Sequence, residues 1–153
     1  MHTEPHTPAQ LHLNLPSQPG SVRRAADLLR KLLSAGGCSP EVMGEIELCA
    51  VEAMNNILEH AYGSCLGHAF EVTVWFDERG LVIELRDEGA SIPPGKLEGL
   101  KLPEFQPDQL ESLPEGGWGL CILRELMDEV IYETRPDCNV MRMVRRNGLT
   151  SSR

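Results

Sequence analysis

The sequence contains no closely spaced cysteine pair and no long apolar run. Its cysteines, at positions 38, 49, 65, 121 and 138, are odd in number and widely separated. Neither a disulfide framework nor a zinc site is therefore indicated. No apolar run approaches the ~20 residues that span a bilayer, and no charged-then-apolar leader begins the chain. We expect a cytoplasmic protein with reduced thiols and no membrane contact.

Basic residues are also scarce. The 14 lysines and arginines stand against 23 acidic residues, which gives a net charge of −9 and a pI near 5.0. A general nucleic-acid binder normally shows a basic stripe along a helix or face, so direct nucleic-acid binding is disfavoured. The late basic residues Arg142, Arg145 and Arg146 alternate with apolar residues, and we interpret them as the solvent face of an edge strand rather than a phosphate site.

What the sequence does contain is enough apolar material for one domain. The chain has 153 residues, of which 41% are hydrophobic, and this suits a single core. Residues 1–8 carry two prolines without periodicity and are interpreted as a flexible leader. We expect the domain to cover 9–146 and a short tail to cover 147–153. No internal repeat is visible.

Apolar periodicity predicts the order of the helices and strands. Strands are expected at residues 11–15, 70–76, 81–85, 130–132 and 140–144, and helices at 21–35, 39–60 and 120–127. The second and third strands should form a hairpin. Residues 90–116 contain five prolines and little periodicity; a loop of this length in a compact domain is typically an active-site lid or a disordered segment, and we favour a lid.

Two polar residues near the end of the second predicted helix are the first candidates for chemistry. Glu52 and Asn56 are one turn apart and therefore share a helix face. A carboxylate can take a proton from an attacking hydroxyl, and an amide oxygen is a hard ligand suited to Mg²⁺. The pair suggests phosphoryl transfer from a metal-bound nucleotide, although a lone asparagine in a helix is more commonly just a solvated polar residue.

Further candidates follow the hairpin and the lid. Asp87, at the end of a strand, could accept from the exocyclic amine of adenine, with Gly89 leaving room for the ring. Gly117 and Gly119 could let backbone N–H groups approach phosphates where the helix near Leu120 begins. Taken singly, Asp87 could merely start a turn and the glycines could form a hinge. Their order along the chain favours the nucleotide interpretation.

That order and those residues resemble the GHKL ATPase superfamily, and most closely its anti-sigma-factor serine/threonine kinases. The segment 52–62, EAMNNILEHAY, resembles the N box of this family. Residues 86–89, RDEG, resemble the G1 box, with Ser91 where a second glycine usually follows. Residues 117–123, GWGLCIL, resemble the G2 box, with Trp118 as an unusually bulky spacer.

The resemblance implies a role for each matching residue. Glu52 would be the general base and Asn56 the Mg²⁺ ligand. Asp87, Gly89 and Asn139 would contact the adenine, Asn139 standing where the family often has threonine. The other nucleotide-binding residues would be Gly117, Gly119 and Leu120.

The resemblance also implies fold, activity and partners. The expected fold is an α/β (α+β) two-layer sandwich of the Bergerat type, a mixed sheet covered on one face by helices, with a mobile ATP lid. The expected protein is a cytoplasmic homodimeric kinase that uses ATP and Mg²⁺, holds a sigma factor and phosphorylates a serine on an anti-sigma-factor antagonist. Its first strand and helix would contribute to dimer or partner contacts.

Three rival functions stay open at this point. A non-catalytic regulator of the same fold would bind ATP and partners without transferring phosphate. The ATP-binding half of a histidine kinase is disfavoured, because no helical hairpin with an acceptor histidine precedes the domain. A GHKL ATPase of the chaperone or topoisomerase kind would need further domains.

Overall fold

A computed structural model describes residues 10–93 and 118–149 of the chain. The elements follow the order β1 (Leu11–Pro16), α1 (Pro19–Ala35), α2 (Pro40–Asn56), a π-helical turn (Ile57–Ala61), β2 (Ala69–Asp77), β3 (Gly80–Asp87), α3 (Trp118–Leu126), β4 (Glu129–Thr134) and β5 (Asn139–Arg145). Every strand and helix predicted from the sequence is present within a few residues of its expected bounds.

The second helix begins where its sequence signal predicts and ends in an unexpected way. Ser39 caps α2 by accepting a hydrogen bond from the Val42 N–H at 3.3 Å, and Pro40 occupies the first helical turn. The helix was expected to run to about residue 60. Instead, α-helical pairing ends at Asn56 and one π-helical turn follows, in which the Tyr62 N–H donates to the Ile57 carbonyl at 3.0 Å.

The five strands form one sheet in the order β1-β2-β3-β5-β4. All four neighbouring pairs are antiparallel, so the expectation of a mixed sheet is wrong. The physical reason is the position of β5. Strand β4 runs in the same direction as β3, but β5 folds back between them and separates the two strands that would otherwise form a parallel pair.

The two-layer α+β architecture is confirmed. Helix α2 packs between α1 and α3, and the three helices contact one face of the sheet. Alternate residues of the central strand, Leu81, Ile83 and Leu85, belong to the core shared with the helices. On the opposite face, Glu84 of β3 pairs with Arg142 of β5 at 2.8 Å. The helices thus cover an apolar side of the sheet, and the other side carries this ion pair next to the buried Val82 and Val144.

The basic residues Arg142 and Arg145 lie on β5, which is an inner strand because β4 takes the edge position. The prediction that these residues lie on an edge strand is wrong. Cys49 and Cys121 are buried, and all five cysteines are free thiols, in agreement with the absence of a predicted disulfide framework. No helix among residues 10–93 and 118–149 has the length and apolar character needed to traverse a membrane. Most of the predicted lid, from residue 94 onward, lies outside the described residues.

Candidate functional site

A cavity of about 230 Å³ opens at the end of α2, between this helix and the sheet. Its walls come from the last turns of α2, from β3 and β5, from the start of α3 and from the segment after β3. The lining residues are Ala53, Asn56, Ile57, His60, Ala61, Leu85, Asp87, Ala90, Ser91, Ile92, Pro93, Leu120, Tyr132 and Met141. Most of this lining is apolar, and Asp87 stands at the end of its strand as a carboxylate among apolar side chains. Such a pocket suits a flat, largely apolar ring with a few polar edge groups.

The wall formed by α2 brings Glu52 and Asn56 to one side of the site. Both side chains are half-buried. Asn56 lines the cavity directly and occupies the junction between the α-helix and the π-helical turn, a feature frequent at functional sites. Within the described part of the chain, neither side chain hydrogen-bonds to another protein group. Their oxygens are therefore available to a ligand.

Helix α3 approaches Glu52 closely because its second residue is glycine. A Cβ on Gly119 would lie 2.6 Å from the Glu52 Oε2 atom, so any larger residue would have to displace the carboxylate. The first turn of α3 thus lies beside this acid. Burial raises the pKa of Glu52, and the nearby Glu59 raises it further. A carboxylate with a raised pKa is a better proton acceptor than an ordinary one.

The opposite wall is organised around Asp87, which is only 6% exposed. Its Oδ1 atom accepts two hydrogen bonds of 2.9 Å, one from the Gly89 N–H and one from the Asn139 Nδ2. Oδ2 accepts none from the residues that the structure describes. Burial raises the pKa of Asp87, and these two hydrogen bonds oppose the rise. Asp87 lines the cavity, and no cationic side chain of the described residues bonds to its second oxygen.

The backbone after Asp87 is fixed against the end of the second helix. The Ala90 N–H donates to the Ala61 carbonyl at 2.8 Å, and the Glu88 N–H donates to the Tyr62 hydroxyl at 2.8 Å. A Cβ on Gly89 would lie 2.3 Å from the Ala61 carbonyl oxygen. From the sequence, we expect Gly89 to leave room for the ring of a base. The space freed by its missing side chain is filled by Ala61 instead, because the segment crosses the helix end at backbone contact distance.

Two side chains of the late strands hold the start of the next segment. The Ser91 hydroxyl donates to the Asn139 Oδ1 atom at 3.0 Å, and the Ile92 N–H donates to the Tyr132 hydroxyl at 2.9 Å. Asn139 is 2% exposed and also donates to the Gly89 carbonyl at 2.9 Å. Residues 89–92 are therefore tied to β4 and β5 as well as to the helix end.

The structure brings most of the sequence-predicted site residues together. Asn56, Asp87 and Leu120 line one cavity, Asn139 stands behind Asp87, and Gly119 touches Glu52. Gly117 lies outside the described residues. Sequence reasoning missed Tyr62 and Tyr132, whose hydroxyls anchor backbone N–H groups near the site. No local pattern marks them, since their partners are 26 and 40 residues away in sequence.

Comparison with known proteins identifies the family. The histidine kinase-like ATPase domain matches residues 15–145, a range that contains every element of the described sheet except the first four residues of β1. The chain belongs to this family. The match covers both walls of the cavity, from Glu52 to Asn139. The predicted resemblance to GHKL ATPases is confirmed.

Relatives of similar length place the chain among the kinases of this family. It is 30% identical over 122 residues to the serine-protein kinase RsbW of Bacillus pumilus, covering 78% of this chain and 75% of the relative. It is 28% identical over 122 residues to RsbW of Oceanobacillus iheyensis, covering 78% and 76%. The expected enzyme class, a protein kinase, is confirmed by these relatives.

A solved structure supports the fold. A chain in the crystal structure of the SiaB-SiaC complex from Pseudomonas aeruginosa superimposes with a TM-score of 0.65 and 17% sequence identity, covering 89% of each chain. At this identity the likeness concerns the fold alone. The two-layer arrangement of helices on a sheet is therefore shared with a protein whose sequence has diverged far.

Proposed function

We propose that this protein is an anti-sigma-factor kinase that binds ATP in the cavity at the end of α2 and transfers its γ-phosphate to a serine of an antagonist protein. One observation carries the proposal: Asn56 lines a pocket whose opposite wall presents Asp87, and Glu52 lies one helical turn before Asn56, with neither side chain hydrogen-bonded to the residues that the structure describes. The adenine amine would donate to the free Oδ2 of Asp87. The phosphates would then extend along α2 toward the first turn of α3.

In the transfer step, Glu52 is the proton acceptor. The attacking serine oxygen bonds to the γ-phosphorus while its proton passes to the Glu52 carboxylate, and the bond to the β,γ-bridging oxygen breaks to release ADP. The pKa of Glu52 is raised by burial and by Glu59. The rate should therefore fall with decreasing pH at a value above the ordinary glutamate pKa of 4.5, because only the ionised carboxylate accepts the proton.

The donor set of the site fits Mg²⁺, which supplies charge neutralisation at the phosphates when bound. Mg²⁺ takes oxygen ligands and commonly uses only one or two protein groups besides water and phosphate. The Asn56 amide oxygen would be the protein ligand, on a rigid helix rather than a loop. Substrate phosphates and water would complete the coordination.

The partners are proposed from the family resemblance and the named relatives. Relatives called serine-protein kinase support a serine acceptor on another protein. A sigma factor held by this kinase, and a homodimeric state in the cytoplasm, complete the proposal. We assign the domain to residues 9–146, with 1–8 as leader and 147–153 as tail.

The exchange Glu52→Gln tests the catalytic assignment. It keeps the side-chain shape beside Gly119 but removes the proton acceptor, so phosphate transfer should fall by roughly 100-fold or more, with ATP affinity within about threefold of wild type. The measurements are transfer of labelled phosphate from ATP to a candidate antagonist, and calorimetric titration with Mg-ATP. Glu125→Gln is the matched control, because Glu125 is exposed on α3 and should leave both unchanged.

Each outcome discriminates between the functions. Equal transfer rates in Glu52→Gln and wild type would reject Glu52 as the base. Tight Mg-ATP binding by the wild type without any labelled serine, across antagonists recovered from the native lysate, would favour the non-catalytic regulator. Absence of binding at millimolar ATP on folded protein would reject the nucleotide site itself.

A further inference from the structure

Both N–H groups of the Asn139 side-chain amide are engaged, and its oxygen accepts one hydrogen bond. Its Nδ2 group donates to the Asp87 Oδ1 atom and to the Gly89 carbonyl, both at 2.9 Å, and its Oδ1 atom accepts from the Ser91 hydroxyl at 3.0 Å. An amide nitrogen has two donors. Asn139 therefore has no N–H group left to offer a ligand.

The surroundings also dictate which way this amide points. Rotating it by half a turn would place its oxygen against a carboxylate oxygen and a carbonyl oxygen, two acceptors with no proton between them. The Ser91 hydroxyl then favours the observed orientation from the other side by donating to the amide oxygen. One face of Asp87 is thus held by fixed donors, and its second oxygen is left for the cavity.

Among the described residues, two hydrogen-bond acceptors beside this amide are available to a ligand edge. They are the Asp87 Oδ2 atom and the lone pairs of the Ser91 oxygen, which both belong to residues that line the cavity. Acceptors match the exocyclic amine of a 6-aminopurine. They repel the 6-carbonyl oxygen of hypoxanthine or guanine, because that oxygen is a third acceptor with no proton to share.

We propose that Asn139 and Ser91 are positioning residues that fix the Asp87 carboxylate as an acceptor and thereby determine selection of 6-aminopurine over 6-oxopurine nucleotides. This inference rests on the proposed nucleotide site and adds to it the residues that set its base preference. Without the amide, the Asp87 carboxyl can rotate or take up a proton, and a protonated carboxyl donates to a 6-carbonyl. Discrimination should then fall.

The competing explanation is that Asn139 and Ser91 only stabilise the turn after β3. A purely structural role would weaken the binding of all purine nucleotides by the same factor. The informative quantity is therefore the ratio of the affinities for ATP and inosine triphosphate, which differ at position 6 of the base. Both affinities are measured with Mg²⁺ by calorimetry on the full chain.

Two variants and two matched controls make up the test. In Asn139→Ala the affinity ratio should fall about tenfold, since the hydrogen bonds from the amide to Asp87 and to the Gly89 carbonyl are both lost, and in Ser91→Ala it should fall about two- to fourfold. Asn14→Ala and Ser34→Ala remove the same groups from exposed positions on β1 and α1. Their ratios should stay within twofold of wild type.

The outcomes separate this inference from the site on which it rests. If wild type binds ATP selectively and both variants retain its ratio, or lose both nucleotides in equal proportion, the inference is wrong while the proposed function stands. If wild type binds neither nucleotide, the proposed function itself fails. Ser91 is exposed, so Ser91→Ala decides the question even where Asn139→Ala unfolds.

Discussion

The turns after β2 and β3 begin with the same local arrangement but differ in charge balance. Asp77 ends β2 and its Oδ1 accepts from the Arg79 N–H at 2.8 Å. Asp87 ends β3 and its Oδ1 accepts from the Gly89 N–H at 2.9 Å. In each case a carboxylate bonds the backbone two residues on, as aspartate commonly does in turns. The two turns therefore share this backbone hydrogen bond.

The two carboxylates differ in the charge of their partners and in the direction of their pKa shifts. The Arg79 guanidinium pairs with Asp77 at 2.8 Å, the Trp75 indole N–H donates to it at 3.0 Å, and the pKa of Asp77 is lowered to about 2, chiefly by the Arg79 side chain. Asp87 has two uncharged donors, and burial raises its pKa. The charge of Asp77 is neutralised within the turn, whereas that of Asp87 remains available to a ligand.

The exchange Asp87→Asn should have the largest effect of those that probe this comparison. The Asn side chain can still accept from Asn139 and Gly89 on one side, but it presents an N–H group to the cavity instead of an oxygen. ATP affinity should fall by roughly 10- to 100-fold, the range expected for losing a hydrogen bond to a charged group. Calorimetric titration with Mg-ATP measures it.

The unfolding free energy of Asp87→Asn should not fall with the ATP affinity. The raised pKa of Asp87 means that folding favours its protonated form, so keeping it ionised at neutral pH costs stability. The unfolding free energy of Asp87→Asn in urea should therefore equal or slightly exceed that of wild type. A large loss of stability would show that Asp87 serves the fold in the same way as Asp77.

The exchange Gly89→Ala should have the next largest effect, because it disturbs the backbone that carries Asp87. The added Cβ would meet the Ala61 carbonyl oxygen at 2.3 Å, and one of the two backbones must move. We expect a loss of about 1–3 kcal/mol in the unfolding free energy, together with weaker ATP binding. Urea denaturation and calorimetry on the same preparations test both.

Gly44→Ala is the matched control. Gly44 lies inside α2 with no atom within 4 Å of an added Cβ, so the exchange should stabilise the protein by about 0.5–1 kcal/mol. If Gly89→Ala were equally harmless, the close packing of the turn against the helix end would not be needed to hold Asp87.

The exchange Asp77→Asn should have the smallest effect. The ion pair with Arg79 is partly exposed, so we expect less than about 1 kcal/mol in the unfolding free energy at neutral pH and no change in ATP affinity. The folded-state pKa near 2 lies below the ordinary value of 3.8. The stabilisation is therefore complete above pH 3.8 and is lost as the pH falls toward 2.

Denaturation curves at neutral and acidic pH measure that loss. The difference between wild type and Asp77→Asn should shrink on acidification. A difference that persists near pH 2 would mean that Asp77 acts through packing rather than charge. Any loss of ATP binding in this variant would contradict the division of roles between the two turns.

The elements of this fold could be predicted because their signals are local. Ser39 and Pro40 mark the start of α2, and alternation along residues 70–76 and 81–85 marks the hairpin. The placement of Glu52 and Asn56 on one face follows from helical spacing alone. Pairing of the late strands did not follow, because the choice of neighbour for β5 depends on contacts with β3, more than 50 residues earlier.

The residues of the candidate site could likewise be predicted only in part. The identities of Asp87, Gly89 and Asn139 could be selected from sequence through the family resemblance, but the use of Gly89 could not, because the neighbour that fills its missing side chain comes from the end of another element. The anchoring hydroxyls of Tyr62 and Tyr132 were missed for the same reason. A hydrogen bond to a distant backbone leaves no periodic trace in the sequence.

The sequence by itself determined where helices and strands form and which residues carry charge near their ends, because propensity, capping and periodicity act within a few residues. Only the tertiary structure decided that all neighbouring strands are antiparallel, that α2 passes into a π-helical turn at Asn56, and that Asp87 is buried beside Asn139, 52 residues away in sequence. These properties depend on which groups meet across the fold, and the energy of a buried charge depends on those neighbours more than on its own residue type.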